Sequence, residues 1–299
     1  MTKITKDIII FYHEHCTDGF ASAYTAWKKF KDKAQYIPLS YTASGEDILK
    51  SKKVKINDLK DKEIYFIDFC LKETELKKVQ KTVKKIIVID HHIGAKDLVQ
   101  SLEGSIFRDG VSGAYLAHEY FFSKKEIPKI IKYISAGDTY NWGSQKFEKE
   151  ILSYIYTLNF DFKIFQKAEK DLEDKNKFLE IKNIGTILQT GYLQKINDQL
   201  ENAVLINFDG HDVYAINASS VFKNELGHRL AEKSKSKFSI IYTFEKGELK
   251  FSLRGQGKTD LNILAKKYSG GGHFNAAAFR STDPVFINDF LKKVIKSNE

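Results

Sequence analysis

Short apolar runs alternate with amphipathic segments in the first half of the chain, and this alternation restricts the fold class most strongly. Four mostly apolar runs have the length of strands and occupy residues 7–13, 35–41, 63–69 and 85–90. Between them, residues 19–33 and 73–84 carry apolar side chains at helical spacing. Buried strands separated by helices are typical of a parallel sheet covered on both faces. The sequence therefore predicts an α/β fold with a parallel-sheet N-terminal domain.

Helical periodicity continues through the middle of the chain before strand patterns return. Residues 112–122 and 127–136 each predict a helix, and apolar residues recur at helical spacing over 147–200. Strand patterns start again at residue 204. We therefore expect two domains, residues 1–200 with a helical connector and residues 201–299.

The second half predicts a smaller α/β domain with a mixed sheet. Its strands are expected at 204–208, 212–217, 238–244, 248–254 and 276–280, and its helices at 222–233, 259–268 and 285–295. The strands at 238–244 and 248–254 predict a hairpin that turns at Lys246-Gly247.

A glycine-rich segment in the second half is a candidate anion site. We interpret Gly270-Gly271-Gly272-His273 as a loop, because glycines let backbone N–H groups approach an anion closely. Arg254 ends an earlier strand, and its guanidinium can reach the same anion with two parallel hydrogen bonds.

Metal-binding residue types follow three of the four predicted strands of the first half. The first strand ends in His13, the third runs into Asp68 and the fourth into Asp90-His91-His92. Further candidates just beyond the first strand are His15, Cys16 and Asp18. The carboxyl ends of parallel strands share one edge of the sheet, where ligands bind. These donors suit Mn²⁺, Mg²⁺, Fe²⁺ or Zn²⁺, and one carboxylate can bridge two ions.

Asp138 is a further acidic candidate. It follows the helix predicted over 127–136, in a segment where Gly137 fits the position just after a helix end. This pattern favours a helix-terminating turn. A ligand role for Asp138 remains the alternative.

Charge and cysteine content indicate the kind of partner and the cellular compartment. The chain carries a net charge of +9, which favours anionic partners, although only four of its 48 basic residues are Arg. Two cysteines are too few for a disulfide framework, and no stretch approaches the roughly 20 apolar residues that span a bilayer. We expect a cytoplasmic protein with no membrane partner. The sequence contains no P-loop, dinucleotide-binding fingerprint or zinc-ribbon spacing.

The order of these motifs resembles the DHH phosphoesterase superfamily, in the branch with a C-terminal DHH-associated domain that includes RecJ-like nucleases and oligoribonuclease/pAp phosphatases. The motifs are His13 to Asp18, Asp68, the Asp90-His91-His92 tripeptide, and the triple glycine with its histidine. The resemblance implies an α/β domain that holds two Mn²⁺-like ions. It also implies a smaller domain that binds the nucleotide end of the substrate across a cleft.

The resemblance also implies residue roles. The expected metal ligands are His13, Asp18, Asp68, His91 and Asp138. Asp68 would bridge the ions, His92 would face the phosphate and Asp90 would support the site. The expected substrate-binding residues are Arg254, Gly271, Gly272 and His273.

The first motif departs from the family pattern. Cys16-Thr17-Asp18 stands where the family has two aspartates separated by one residue. Either Cys16 replaces the missing carboxylate as a thiolate or His15 helps to complete the site. Thiolate suits Zn²⁺ or Fe²⁺ better than Mn²⁺.

The expected function is hydrolysis of small nucleotides or short oligonucleotides by metal-activated water, with Mn²⁺ as the expected ion and Zn²⁺, Fe²⁺ or Mg²⁺ as alternatives. His92, Asp90 and Arg254 are the expected catalytic residues. One alternative is an inorganic pyrophosphatase or polyphosphatase. Another is a nucleotide-binding protein without catalysis. A homodimer is compatible with all three.

Overall fold

The chain divides into two compact units, Met1–Gln189 and Thr190–Glu299. The computed structural model describes residues 3–40, 49, 54–123, 125–245 and 247–296. Tyr41 of the second predicted strand and Lys246 of the predicted hairpin turn lie outside the described residues. The domain boundary near residue 200 stays a prediction. Within the described ranges, no helix combines the length and apolar character needed to cross a membrane.

A parallel sheet organises the first unit, as the alternation of strands and helices predicts. Among the described residues, five strands form it in the order β2-β1-β3-β4-β5. They are β1 (Ile8–His13), β2 (Ala34–Leu39), β3 (Glu63–Ile67), β4 (Lys85–Asp90) and β5 (Ile106–Phe107). The helices are α1 (Thr17–Phe30), α2 (Glu73–Gln80), α3 (Lys96–Gln100), α4 (Gly113–Phe122), α5 (Lys129–Thr139), α6 (Glu148–Ile155), α7 (Phe162–Glu173) and α8 (Lys175–Leu200), the last of which runs into the second unit.

Both faces of this sheet are buried, which explains why its strands are continuously apolar. Ile9 and Phe11 of β1 belong to one apolar cluster, and Ile10 between them belongs to another on the opposite face. The same alternation recurs in β3, where Phe66 and Ile67 lie in different clusters. Burial on both faces is the usual state of parallel sheets.

Two predictions about the first unit were incomplete. The two-residue strand β5 was missed, because so short a segment carries no periodic pattern. Helix α5 does not end before Asp138 but continues to Thr139. Gly137 lies inside the helix, where an added Cβ would lie 2.2 Å from Leu152 Cδ2. The glycine therefore permits close helix packing instead of ending the helix.

The second unit contains a mixed sheet, as predicted. Its described strands follow the order β10-β11-β9-β8-β7-β6, and only the β7–β8 pair is parallel. They are β6 (Val204–Phe208), β7 (His211–Asn217), β8 (Phe238–Glu245), β9 (Glu248–Gly255), β10 (Gly271–His273) and β11 (Ala276–Ser281). The helices are α9 (Lys223–Lys233), α10 (Leu261–Lys266) and α11 (Pro284–Lys296). Apolar clusters cover both faces.

The glycine-rich segment is an edge strand and not the predicted loop. Gly271–His273 pairs antiparallel with β11. An added Cβ would lie 2.4 Å from Ala276 O at Gly272 and 2.2 Å from Ala278 O at Gly270. The glycines therefore allow β10 to lie close against β11, a backbone approach that any side chain would block.

Candidate metal centre

The candidate metal ligands of the first unit gather at the carboxyl edge of the parallel sheet. His13 is the last residue of β1, Asp68 directly follows β3, and Asp90 is the last residue of β4. Strands β1, β3 and β4 are neighbours, and the strand order reverses between β1 and β3. Ligands of open α/β sheets bind at such a reversal.

Asp68 lies at the middle of the cluster, and its two carboxylate oxygens face different partners. Oδ2 is 3.4 Å from His13 Nδ1, and Oδ1 is 3.2 Å from His91 Nε2. The side chain is 1% exposed, and Oδ2 has no hydrogen-bond partner among the residues that the structure describes. The backbone at Asp68 has a φ of +56°, a conformation uncommon outside glycine. This turn directs the carboxylate between the two groups of donors.

One group of donors comprises His13, Cys16 and Asp68. The candidate ligand atoms of these three residues lie within 4.8 Å of one another. Cys16 occupies the N-cap of α1, three positions after the last residue of β1. An added Cβ at Gly19 would lie 2.1 Å from His13 O, so the glycine allows α1 to begin close against the strand end.

A second group comprises Asp18, His91 and Asp138, whose candidate ligand atoms also lie within 4.8 Å of one another. A third group, made of Asp68, Asp90, His91 and His92, shares Asp68 with the first group and His91 with the second. His91 Nε2 is 3.9 Å from Asp18 Oδ2 and 3.4 Å from Asp138 Oδ2. The interpretation of Asp138 as part of a terminating turn was wrong, because Asp138 lies in the last turn of α5 and faces His91. Its side chain remains 27% exposed, so solvent reaches the cluster there.

The N-terminus of α4 holds Asp18 in place, and sequence reasoning missed this contribution. The N–H groups of Gly113 and Ala114 donate to Asp18 Oδ2 and Oδ1 at 2.7 and 3.0 Å. An added Cβ at Gly113 would lie 2.5 Å from Asp68 Cβ. The signal in the sequence is Ser112-Gly113, a capping residue followed by a glycine at a helix start.

Asp90 orients His92. Asp90 Oδ1 lies 2.7 Å from His92 Nδ1 and accepts hydrogen bonds from the backbone N–H groups of His91 and His92. Burial of His92 opposes its protonation, but the adjacent Asp90 carboxylate outweighs this effect and raises the His92 pKa to about 9. His92 is therefore an imidazolium at neutral pH in the metal-free protein, with 27% of its side chain exposed.

The ionisable groups of the cluster shift one another's pKa values. Burial, together with the nearby Asp68 and Asp138, raises the pKa of Asp18 well above its usual range. Burial also works against protonation of His91, but its contact with Asp68 and the charge of Asp138 raise its pKa to about 10. Burial and the surrounding carboxylates likewise raise the pKa of the Cys16 thiol.

These observations match what a divalent cation requires. Oxygen, nitrogen and sulfur donors lie within reach of one another, and buried carboxylates need compensating positive charge. The Asp68 oxygen without a hydrogen bond points into the cluster. The residues present therefore fit one cation in each of the first two groups, with Asp68 between them.

The candidate His15 and the second cysteine of the chain, Cys70, lie outside the cluster. The His15 side chain is 84% exposed and lies 3.8 Å from Glu14, so the structure does not bring it together with Cys16 and His13. Cys70 is buried, and its thiol donates to Leu71 O at 3.4 Å. Cys70 therefore serves as a core residue.

In the second unit, the structure brings Arg254 and His273 to the same rung of the sheet. Ala276 of β11 pairs with His273 on one side and with Arg254 on the other. Arg254 is buried, and its guanidinium donates to Asn224 Oδ1 at 2.9 Å and to Leu253 O at 2.8 Å.

Gly272 also bonds within the second unit, because its N–H donates to Asn262 Oδ1 at 3.2 Å. That backbone donor was expected to face an anion. The substrate-binding roles of Gly271, Gly272, His273 and Arg254 stay predictions.

Comparison with known proteins identifies relatives of both units. The model of the DHHA1 domain matches residues 196–298. Uncharacterized protein R106 of Acanthamoeba polyphaga mimivirus is 29% identical over 293 residues, which cover 90% of this chain and 66% of the relative. The chain thus spans about two thirds of that relative's length.

Two solved structures share the fold. An exopolyphosphatase-related protein from Bacteroides fragilis has a TM-score of 0.55 and 17% identity, with 97% of this chain and 92% of the other covered. RecJ in complex with Mn²⁺ from Thermus thermophilus has a TM-score of 0.50 and 14% identity, with 96% of this chain and 51% of RecJ covered.

Proposed function

We propose that the chain is a divalent-metal-dependent phosphoesterase of the DHH superfamily, in the branch with a C-terminal DHHA1 domain. Its proposed substrates are small nucleotides or short oligonucleotides. The observation that carries this proposal is the position of Asp68, whose two carboxylate oxygens face separate groups of donors. A carboxylate shared in this way is what a pair of adjacent cations requires.

The proposed ligands are His13, Cys16, Asp18, Asp68, His91 and Asp138. Bound divalent cations polarise phosphoryl oxygens and lower the pKa of water. The chain supplies the remaining requirements itself. The α4 N-terminus fixes Asp18, and a hydrogen bond to Asp90 orients His92 so that its ring can donate to a phosphate oxygen.

Recognition of a nucleotide is the finer part of the proposal. Arg254 of β9 and His273 of β10 pair with the same residue of β11, Ala276. Both side chains can donate a hydrogen bond to an anion. The net charge of +9 also favours anionic substrates.

A second candidate function is hydrolysis of pyrophosphate or polyphosphate. It is favoured by the similarity to the exopolyphosphatase-related protein, which covers nearly the whole of both chains. A nucleotide-binding protein without turnover is the third candidate, and the replacement of a family aspartate by Cys16 favours it.

The test is hydrolysis by the purified chain, with Mn²⁺, Mg²⁺ or Zn²⁺, of a linear dinucleotide, a short RNA, a nucleoside 3′,5′-bisphosphate, pyrophosphate and tripolyphosphate. We expect turnover of one or more nucleotide substrates. His13→Ala should remove it, and the matched variant His15→Ala should not, because His15 faces solvent. Turnover of the inorganic phosphates alone would establish the second candidate. Nucleotide binding without product under every metal would establish the third.

A further inference from the structure

We propose that the two groups of donors take unlike cations. The group of His13, Cys16 and Asp68 would take a thiophilic cation such as Zn²⁺ or Fe²⁺. The group of Asp18, His91 and Asp138 would take a cation that prefers oxygen and nitrogen, such as Mn²⁺ or Mg²⁺. This inference rests on the metal-dependent function proposed above and adds the identity of each ion.

The Cys16 position supports a thiolate ligand. Cys16 is the N-cap of a 14-residue helix, and its side chain makes no hydrogen bond that caps the helix. The Cys16 sulfur lies within 4.8 Å of a His13 ring nitrogen and an Asp68 carboxylate oxygen. Cys16 is partly buried, so the thiol is shielded without being enclosed in the core.

A second observation points to an ion beside that sulfur. The Asp68 carboxylate is 1% exposed, and its Oδ2 atom has no hydrogen-bond partner within the described part of the chain. The atom faces His13 Nδ1 at 3.4 Å, on the side where Cys16 lies. A buried carboxylate oxygen without a hydrogen bond is costly unless a cation compensates it.

The two groups differ in chemistry, although Asp68 lies between them. The first offers sulfur, imidazole nitrogen and carboxylate oxygen. The second offers carboxylate oxygens and imidazole nitrogen, with the further Asp68 Oδ1 atom near His91. Thiolates select Zn²⁺ and other soft ions, whereas carboxylates suit Mn²⁺ and Mg²⁺. Cys16 is therefore the residue that makes the groups unlike.

The experiment measures metal selectivity as well as activity. Metal-free wild-type protein, Cys16→Ser, Cys16→Asp and Cys70→Ala are incubated with equal concentrations of Mn²⁺ and Zn²⁺, desalted and analysed by inductively coupled plasma mass spectrometry. Zn²⁺ binds most sites more tightly than Mn²⁺, so the informative quantity is the change in the ratio between variants. Cys70→Ala controls for the loss of a thiol outside the cluster.

We expect the wild-type protein and Cys70→Ala to bind two ions each and to give the same Zn²⁺/Mn²⁺ ratio. The preference for Zn²⁺ should fall by about tenfold or more in Cys16→Ser and Cys16→Asp, as expected when a metal site loses a selective contact. Cys16→Asp should still bind two ions, both Mn²⁺ when that ion alone is supplied. This variant keeps the test decisive if Cys16→Ser proves unstable.

A spectroscopic measurement checks the ligand directly. Titration with Cd²⁺ should produce the ultraviolet thiolate-to-metal absorption band in the wild-type protein and Cys70→Ala, and no band in Cys16→Ser. Absence of the band from the wild-type protein, or an unchanged Zn²⁺/Mn²⁺ ratio in both Cys16 variants, would overturn the inference. If the protein then still hydrolyses nucleotides with two Mn²⁺ ions, the proposed function stands although the inference about unlike cations fails. Failure of every variant to bind any divalent ion would overturn both.

Discussion

The metal centre of the first unit and the glycine strand of the second unit (β10, Gly271–His273) were both predicted from the sequence as binding sites, but they use their polar atoms differently. In the metal centre, Asp68 Oδ2 lacks a hydrogen bond among the described residues. In the second unit, the Arg254 guanidinium bonds Asn224 and a backbone carbonyl, and the Gly272 N–H bonds Asn262. A buried polar atom without an internal partner indicates a missing ligand, whereas a bonded one already has a structural role.

The difference follows from sheet geometry. A parallel sheet brings the ends of β1, β3 and β4 to one edge, so residues from distant segments converge there. The antiparallel pair β10–β11 instead needs close backbone approach, and glycines provide it. The donors at the strand ends therefore indicate chemistry in the first unit, whereas the glycines of β10 serve packing in the second. Five substitutions test this distinction.

Asp68→Asn should have the largest effect on activity. The amide keeps the size of the side chain but removes the charge that both groups share. We expect turnover to fall by roughly 10³-fold or more, the order expected when transition-state charge stabilisation is lost. Asp97 of α3 is exposed, so Asp97→Asn is the matched control and should retain wild-type rates. Steady-state kinetics with the best nucleotide substrate measures both.

Gly113→Ala should disturb the metal centre without removing a ligand. The new Cβ would lie 2.5 Å from Asp68 Cβ, so either α4 or Asp68 must shift. We expect metal affinity to fall by about 10–100-fold, the range for changes in residues that orient ligands. Gly94→Ala is the control, because no atom lies within 4 Å of its added Cβ. Equal metal affinity of the two variants by calorimetric titration would contradict the role of Gly113.

Two neighbouring glycines separate packing from substrate binding in the second unit. Gly272→Ala meets Ala276 O at 2.4 Å and has a φ of +149°, so it should destabilise this unit by about 1–3 kcal/mol. Gly271→Ala meets only Asn262 Oδ1 at 3.7 Å and should keep its stability. If Gly271 holds substrate, its variant should raise KM about tenfold, or about 1.4 kcal/mol. An unchanged KM would show that β10 has a structural role and does not hold substrate through Gly271.

Asp138→Asn should have the smallest effect, and with opposite signs in the presence and absence of metal. Burial and the nearby Asp68 raise the folded-state pKa of Asp138, although His91 opposes this shift. Ionised Asp138 therefore destabilises the metal-free fold at pH values above that raised pKa. We expect the variant to be more stable by about 0.5–2 kcal/mol without metal. It should also lose most of the stabilisation that Mn²⁺ gives the wild-type protein. Thermal unfolding at pH 7 with and without Mn²⁺ measures both effects.

The strands of the first unit could be predicted well because burial on both faces makes them continuously apolar. The β4 strand was predicted with its observed bounds, and β1 to within one residue. Residues His13, Asp68 and His91 could be placed together before the structure because the carboxyl ends of parallel strands share an edge. Strand β5 could not be predicted, because a segment of two residues carries no periodic pattern.

The contacts made by glycines could not be predicted. Gly137 was predicted to end a helix, but the space left by its missing side chain is filled by Leu152. The local sequence around Gly137 does not reveal this partner. Gly113 supports the site by leaving room for Asp68, which lies 45 positions earlier in the chain. The glycine strand was predicted to be a loop, because its conformation is determined by its partner strand β11.

The most direct measurement of the shared carboxylate is the number of divalent ions bound per chain. Wild-type protein and Asp68→Asn are dialysed against saturating Mn²⁺ and Zn²⁺ and analysed by inductively coupled plasma mass spectrometry. We expect two ions in the wild-type protein and fewer than one in Asp68→Asn, because both groups depend on Asp68. Two ions in both proteins, or none in the wild-type protein, would contradict the assignment of Asp68 as the residue between two cations.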